Sequence, residues 1–213
     1  MRIVWLTESG GVANTVVGSG AERVVTVDMH AAQIQGFYDI PVDHLYAKPV
    51  LMGAVQALDI PDPVVVTPDV GGIKMARSWA KAIGADLAIV DKRRISGSEI
   101  AVEHVIGDVE DRNVIIVDDM ISTGGSISEA AHIVRREGAR QIVLAVSHAV
   151  FCGPAVERLD GCPADRILVT DTIPRRGCSP RNLEMVSIAP LLARAIHNIH
   201  RCESVSSLFD EIP

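Results

Sequence analysis

Short runs of β-branched and other aliphatic residues alternate along this chain with longer stretches whose apolar residues return every three or four positions. The runs at Arg23–Asp28, Pro63–Thr67, Asp86–Asp91, Asn113–Val117, Gln141–Ser147 and Arg166–Val169 predict strands. Most are continuously apolar rather than alternating, as expected of strands covered on both faces. Gly71–Ile83 predicts a helix with Ile73, Ala76 and Ala80 on one face and Gly84 as its stop. Thr123–Glu137 predicts another, with Ile127, Ala130, Ala131 and Val134 at helical spacing and Gly138 after it. Ala189–Arg201 is a further helix candidate near the C-terminus. Strands alternating with helices imply an α/β fold built on a doubly wound parallel sheet.

Ligands of such sheets bind at the carboxyl ends of the strands. Asp28-Met29-His30 follows the first predicted strand, and Thr67-Pro68-Asp69 with Gly71-Gly72 follows the second. Asp91-Lys92-Arg93-Arg94 and Asp118-Asp119 follow the next two. Ionisable residues thus gather at one rim of the sheet, which a purely structural domain does not need.

Composition narrows the partners. The chain has 213 residues, 48% hydrophobic, with 20 Lys and Arg against 27 Asp and Glu for a net charge of −7. An acidic balance disfavours nucleic acid as a partner, while a small anion held by backbone amides and local cations stays possible. No apolar run is long enough to cross a bilayer and no signal peptide is visible, so a soluble cytoplasmic protein without a membrane partner is expected. The cysteines, Cys152, Cys162, Cys178 and Cys202, contain no C-x-x-C pair and are expected as buried reduced thiols.

The sharpest local signal is Val114–Ser126. An apolar run ends in Asp118 and Asp119, then Ser122, Thr123, Gly124, Gly125 and Ser126 open a helix. Glycines let successive N–H groups converge on an anion, and the helix N-terminus adds its dipole. The carboxylates suit sugar hydroxyls or a metal, so the unit is suited to a phosphorylated sugar; an Asp- and Gly-rich helix cap is the plainer alternative. No G-x-x-x-x-G-K-[ST] occurs, and Gly18-Ser19-Gly20 lacks a third glycine and leads into a strand, which excludes the P-loop and dinucleotide fingerprints.

The segment Val117–Ser126 resembles the phosphoribosyl-binding loop of the phosphoribosyltransferase fold. Thr26–Phe37 (TVDMHAAQIQGF), Pro41-Val42-Asp43, Pro68–Gly72, Asp91–Arg94 and Asp171–Pro174 narrow the likeness. Together they resemble the ribose-phosphate diphosphokinases, also called phosphoribosyl pyrophosphate synthetases. That resemblance implies transfer of pyrophosphate from ATP to ribose 5-phosphate, giving phosphoribosyl pyrophosphate and AMP, with Mg2+. It implies that Lys92 and Arg94 are catalytic, on a mobile loop, and that Arg94, Asp118, Asp119 and Ser122 to Ser126 bind ribose 5-phosphate. It further implies that Asp69 and His30 serve the magnesium site, His30 also meeting the ATP phosphates.

Family members have two domains of similar fold, most of the first lying before the position of residue 10 here. By that likeness residues 1–46 are a remnant of the first domain, 47–188 the C-terminal phosphoribosyltransferase-like domain, and 189–213 a helix that packs on the first. Apolar surface on both flanking segments is then expected to be exposed or covered by another chain. Weak synthetase activity alone, and a homo-oligomer or an assembly with full-length subunits, are the matching expectations. Ser122 stands where many members carry an acid, and His148–Pro154 departs from the usual His-Pro-x-Phe-Ser-Gly pattern. A non-catalytic regulatory partner of synthetase subunits and a phosphoribosyltransferase are the alternatives.

Overall fold

The computed structural model describes residues 4–94, 101–175 and 177–209, with no statement on the side chains of 4–9, 92–94 and 101–103. The chain divides into two compact units, one from the described parts of Met1–Ala47 and Pro190–Glu211, the other centred on Lys48–Ala189.

The first unit opens with helix α1 (Val4–Gly18), followed by strands β1 (Val24–Val27) and β2 (Val42–Leu45). These strands pair in parallel as a sheet of their own, so the run predicted at Arg23–Asp28 does not join the main sheet. A 3-10 turn, Ala32–Phe37, connects them. Ala13, Leu45, Leu191, Ala195, Val205 and Leu208 are buried, whereas Val12 is 61% and Ile196 62% exposed.

The second unit begins with helix α2 (Lys48–Gln56), then β3 (Pro63–Thr67), α3 (Ile73–Ile83), β4 (Asp86–Arg94), β5 (Ala101–Ile106) and β6 (Asn113–Ile121). Helix α4 (Gly125–Arg136), β7 (Gln141–Ala149), α5 (Ala155–Asp160), β8 (Arg166–Thr170), β9 (Leu183–Val186) and α6 (Ala189–His200) complete the chain, α6 belonging almost wholly to the first unit. Seven strands form one sheet in the order β5-β4-β3-β6-β7-β8-β9. The sheet is parallel except at one edge, where β5 runs antiparallel to β4.

The apolar strands are buried on both sides, as their composition requires. Val64, Val66, Val114, Ile116, Ile142 and Leu144 share a core with Ile127, Ala130, Ala131 and Val134 of α4. Their neighbours of opposite parity, Val65, Ile115, Val143 and Ala145, are equally buried, and α2 and α3 pack on the sheet. The spacing that predicted α3 and α4 places Ala76 and Ala80, and all four named residues of α4, in the interior.

The strand order reverses direction between β3 and β6. The chain leaves β3 toward β4 and later returns to the other side of β3 as β6, from which it proceeds to β7. At such a switch point the connections diverge and leave a crevice above the carboxyl ends. Asp69 follows β3 and Asp118 lies on β6, so the two acids flank that crevice.

The cysteine expectation is corrected too. All are free, but only Cys162 is buried, while Cys152, Cys178 and Cys202 are exposed, since they fall in loops and at a helix end. Among the described residues no helix is long and apolar enough to cross a membrane.

Candidate functional site

Strand β6 runs past the predicted end at Val117 to Ile121, because β7 pairs with it as far as Ile121 opposite Ala149. Asp118 and Asp119 therefore stand on a strand rather than in the loop beyond it. Aspartate is a poor strand former; here the ladder with β7 sets the conformation. The Asp119 N–H donates to Asp118 Oδ1 at 2.9 Å. Burial pushes the Asp118 carboxyl up to about 7; the Asp119 N–H works against this, while the charges of Asp119 and Asp69 add to it. That influence of Asp69 ties the two sides of the crevice together electrostatically.

Asp69 itself shapes the turn after β3. Its Oδ1 accepts the Gly72 N–H at 3.1 Å, and the buried Thr67 hydroxyl donates to the Asp69 carbonyl at 2.9 Å. Glycine is required at 72, since a Cβ there would collide with the Thr67 hydroxyl.

The loop after β6 turns sharply at Gly124, whose φ of +71° is a left-handed conformation that side chains resist. Gly124 caps α4 without any side-chain hydrogen bond, so the first-turn N–H groups of that helix keep their orphan character and their positive dipole end. Ser122, Thr123 and Ser126 are exposed around this turn and Gly124 is buried. The β7–α5 connection holds the loop from behind. Phe151 N donates to the Ile121 carbonyl at 3.0 Å, Cys152 N to Ser122 at 2.8 Å, and Arg158 Nη1 to Thr123 at 3.0 Å.

These anchors escaped sequence reasoning. The departing segment His148–Pro154 supplies two of them through its main chain, from Phe151 and Cys152. Phe151 carries a φ of +47°, an unusual value for an aromatic residue that marks the tightness of the turn.

His30 is exposed in the first unit, whereas Asp69 belongs to the second. The turn bearing His30 is well held. His44, buried, accepts the Met29 N–H at Nε2 (2.9 Å), and Asp28, at φ +40°, accepts the Ala47 N–H at 3.0 Å. Lys92 and Arg94, expected on a mobile loop, lie instead on β4, paired with Glu103 and Ala101 of β5; their side chains, and residues 95–100, fall outside the described residues. Among the described residues no cluster of three or more His, Cys, Asp or Glu could by itself hold a metal.

A mostly parallel α/β sheet whose acid-tipped central strand runs through a glycine turn into a helix N-terminus is a sheet of the phosphoribosyltransferase type. The model of the phosphoribosyl synthetase-associated domain matches residues 94–210. Ribose-phosphate pyrophosphokinase of Rhodopirellula baltica is 51% identical over 94% of this chain and 65% of its own length. The corresponding values for ribose-phosphate pyrophosphokinase of Chromobacterium violaceum are 46%, 94% and 62%. The crystal structure of phosphoribosylpyrophosphate synthetase from Mycobacterium smegmatis superposes with a TM-score of 0.81 at 39% identity, over 92% of this chain and 64% of that one. The chain belongs to the phosphoribosyl synthetase family, and it spans a little under two thirds of the length of these relatives.

Proposed function

We propose that this chain provides the ribose 5-phosphate side of a ribose-phosphate diphosphokinase. The observation that carries the reading is the course of β6: a half-buried Asp118 at the switch point, followed directly by a glycine turn whose carbonyls are tied back. Neutral amides of Ser122 to Ser126 then receive the 5-phosphate, and Asp118 with Asp119 receives ribose hydroxyls. The anomeric hydroxyl attacks the β-phosphorus of ATP and gives up its proton to solvent, the new O–P bond forms as the bond to the AMP oxygen breaks, and AMP departs with the displaced charge. Catalysis of such a step is positioning and charge neutralisation, the role assigned to Lys92 and Arg94.

Magnesium fits the acids on one physical ground. The charges of Asp119 and Asp69 raise the Asp118 carboxyl, and a divalent cation relieves that crowding. Asp69 would hold it, a carboxylate being the hard oxygen donor that magnesium takes. His30 is better suited to the ATP phosphates than to the ion. When bound, the ion neutralises phosphate charge. A cytoplasmic setting and assembly with like or longer subunits accompany this reading.

Calorimetric titration of the purified chain with ribose 5-phosphate and Mg2+ tests it directly. Saturable binding is expected; absence of heat at millimolar ligand refutes the proposal. AMP formation from ATP that depends on ribose 5-phosphate, by the chain alone or mixed with a longer relative, tests the complete reaction.

A further inference from the structure

A trans peptide is planar, so its carbonyl and N–H point in opposite directions. That rule makes the loop after β6 informative. The carbonyls of Ile121, Ser122 and Thr123 are all taken by the segment from Phe151 to Arg158. The N–H groups of Ser122, Thr123 and Gly124 belong to those same peptides and so point away from that segment. Among the described residues no backbone acceptor takes any of them. They continue into the uncapped first turn of α4 and together form a concave row of donors.

Two of the anchors are main-chain bonds, fixed once β7 and its tight turn have formed. The third is a side chain. Arg158 reaches back from α5, gives Nη1 to the Thr123 carbonyl at 3.0 Å, and lies 3.4 Å from where a Cβ on Gly125 would stand. Gly125 therefore leaves room for the guanidinium to lie against the start of α4. The Arg158 carbonyl accepts the Ser128 hydroxyl at 3.4 Å, which ties α5 to the same helix. Without the guanidinium, the Thr123–Gly124 peptide is the one plane of the row with no partner and is able to turn. A turned peptide would aim a carbonyl, not an N–H, at a bound phosphate.

We propose that Arg158 is a positioning residue: it fixes the Thr123–Gly124 peptide so that the Gly124 N–H faces the sugar phosphate. The role rests on the ribose 5-phosphate reading above. A carbonyl held by a charged donor is a strong local restraint, and its loss is felt by the ligand more than by the fold, because Arg158 is exposed.

The test compares the full chain with Arg158→Ala and Arg158→Lys, titrating ribose 5-phosphate by calorimetry and following the Gly124 amide by 15N NMR. R158A is expected to weaken binding about tenfold and to abolish the ligand-induced shift of the Gly124 amide. R158K, which keeps one cationic donor, recovers most of the affinity and the shift. Should R158A fail to fold, Arg158→Met, which keeps an aliphatic stem but has no donor, carries the same comparison. R158A binding within about twofold of the parent, with the Gly124 amide still shifting, overturns the inference. No saturable binding by the parent chain overturns the ribose 5-phosphate reading itself, and the role of Arg158 with it.

Discussion

Asp118→Asn makes the electrostatic cost of the site measurable. In the folded chain burial holds the Asp118 carboxyl near a pKa of about 7, while in the unfolded chain it titrates near 3.9. Between those values the folded state keeps a proton that the unfolded state has lost. Stability therefore falls as pH rises through this window, and the penalty is complete above about pH 7. At about 1.36 kcal/mol per pH unit, a window of about three units amounts to about 4 kcal/mol if Asp118 alone carries it. The neighbouring charge of Asp119 spreads part of that titration over the pair. Asparagine keeps an oxygen to accept the Asp119 N–H at 2.9 Å but carries no charge. D118N should thus be more stable than the parent by about 2–4 kcal/mol at about pH 8, and by little at about pH 4. Urea unfolding followed by tryptophan fluorescence provides the assay. Trp79, 2% exposed in α3, reports on this unit once Trp5 of the other unit is replaced by Phe. A difference between the two proteins that is independent of pH, or a D118N protein less stable at about pH 8, would refute the reasoning. Affinity for ribose 5-phosphate should fall in the same variant, since stability here is gained by removing a functional charge.

Three further outcomes follow from the geometry. Gly72→Ala forces a methyl against the buried Thr67 hydroxyl and should cost about 1–3 kcal/mol in unfolding free energy; a loss below about 0.5 kcal/mol would mean the turn relaxes freely. Trp79→Ala empties the largest fully buried side chain among the described residues and should cost about 3–5 kcal/mol, read by the urea midpoint followed by circular dichroism; a loss under about 1 kcal/mol would contradict its tight packing. Burial lowers the His44 pKa, against a smaller opposing pull from Asp28, so the folded state resists the proton that the unfolded chain accepts near 6.5. The first unit should therefore lose stability as pH falls below about 6.5, and His44→Gln, whose amide oxygen reaches the ε position that accepts the Met29 N–H, should flatten that dependence in thermal melts at stepped pH.

Strands β3, β4, β6, β7 and β8 were legible because burial on both faces demands aliphatic runs, whereas β9, with Glu184 and Met185 exposed, was not. Helices α3 and α4 were legible from apolar spacing and a terminal glycine. Helix α1 was not: its Thr7–Gly11 stretch pairs polar residues with two glycines and shows no stripe. Strand β5 escaped because Glu103 and His104 interrupt its aliphatic residues, and β6 was read as ending at Val117 because acids break an aliphatic pattern. The site divides in the same way. Asp118 and Gly124 stand in one contiguous motif, which a sequence displays. Arg158 reaches Thr123 across 35 positions, and nothing in its neighbourhood marks it among exposed arginines.

The same geometry explains how a chain of net charge −7 can hold an anion. Oriented amides attract phosphate without adding charge, so the glycine turn is insensitive to the overall balance. The charges of Asp119 and Asp69 both work to raise the Asp118 carboxyl. A sugar phosphate and a nucleoside triphosphate arriving at that crevice would add negative charge to a region already raising its own carboxyl toward neutrality. Amides cannot offset this. The reaction proposed for this crevice therefore needs added positive charge close to the acids, which is the physical reason for pairing Asp69 with magnesium and for giving Lys92 and Arg94 the transferring phosphates, Arg94 also meeting the bound sugar phosphate.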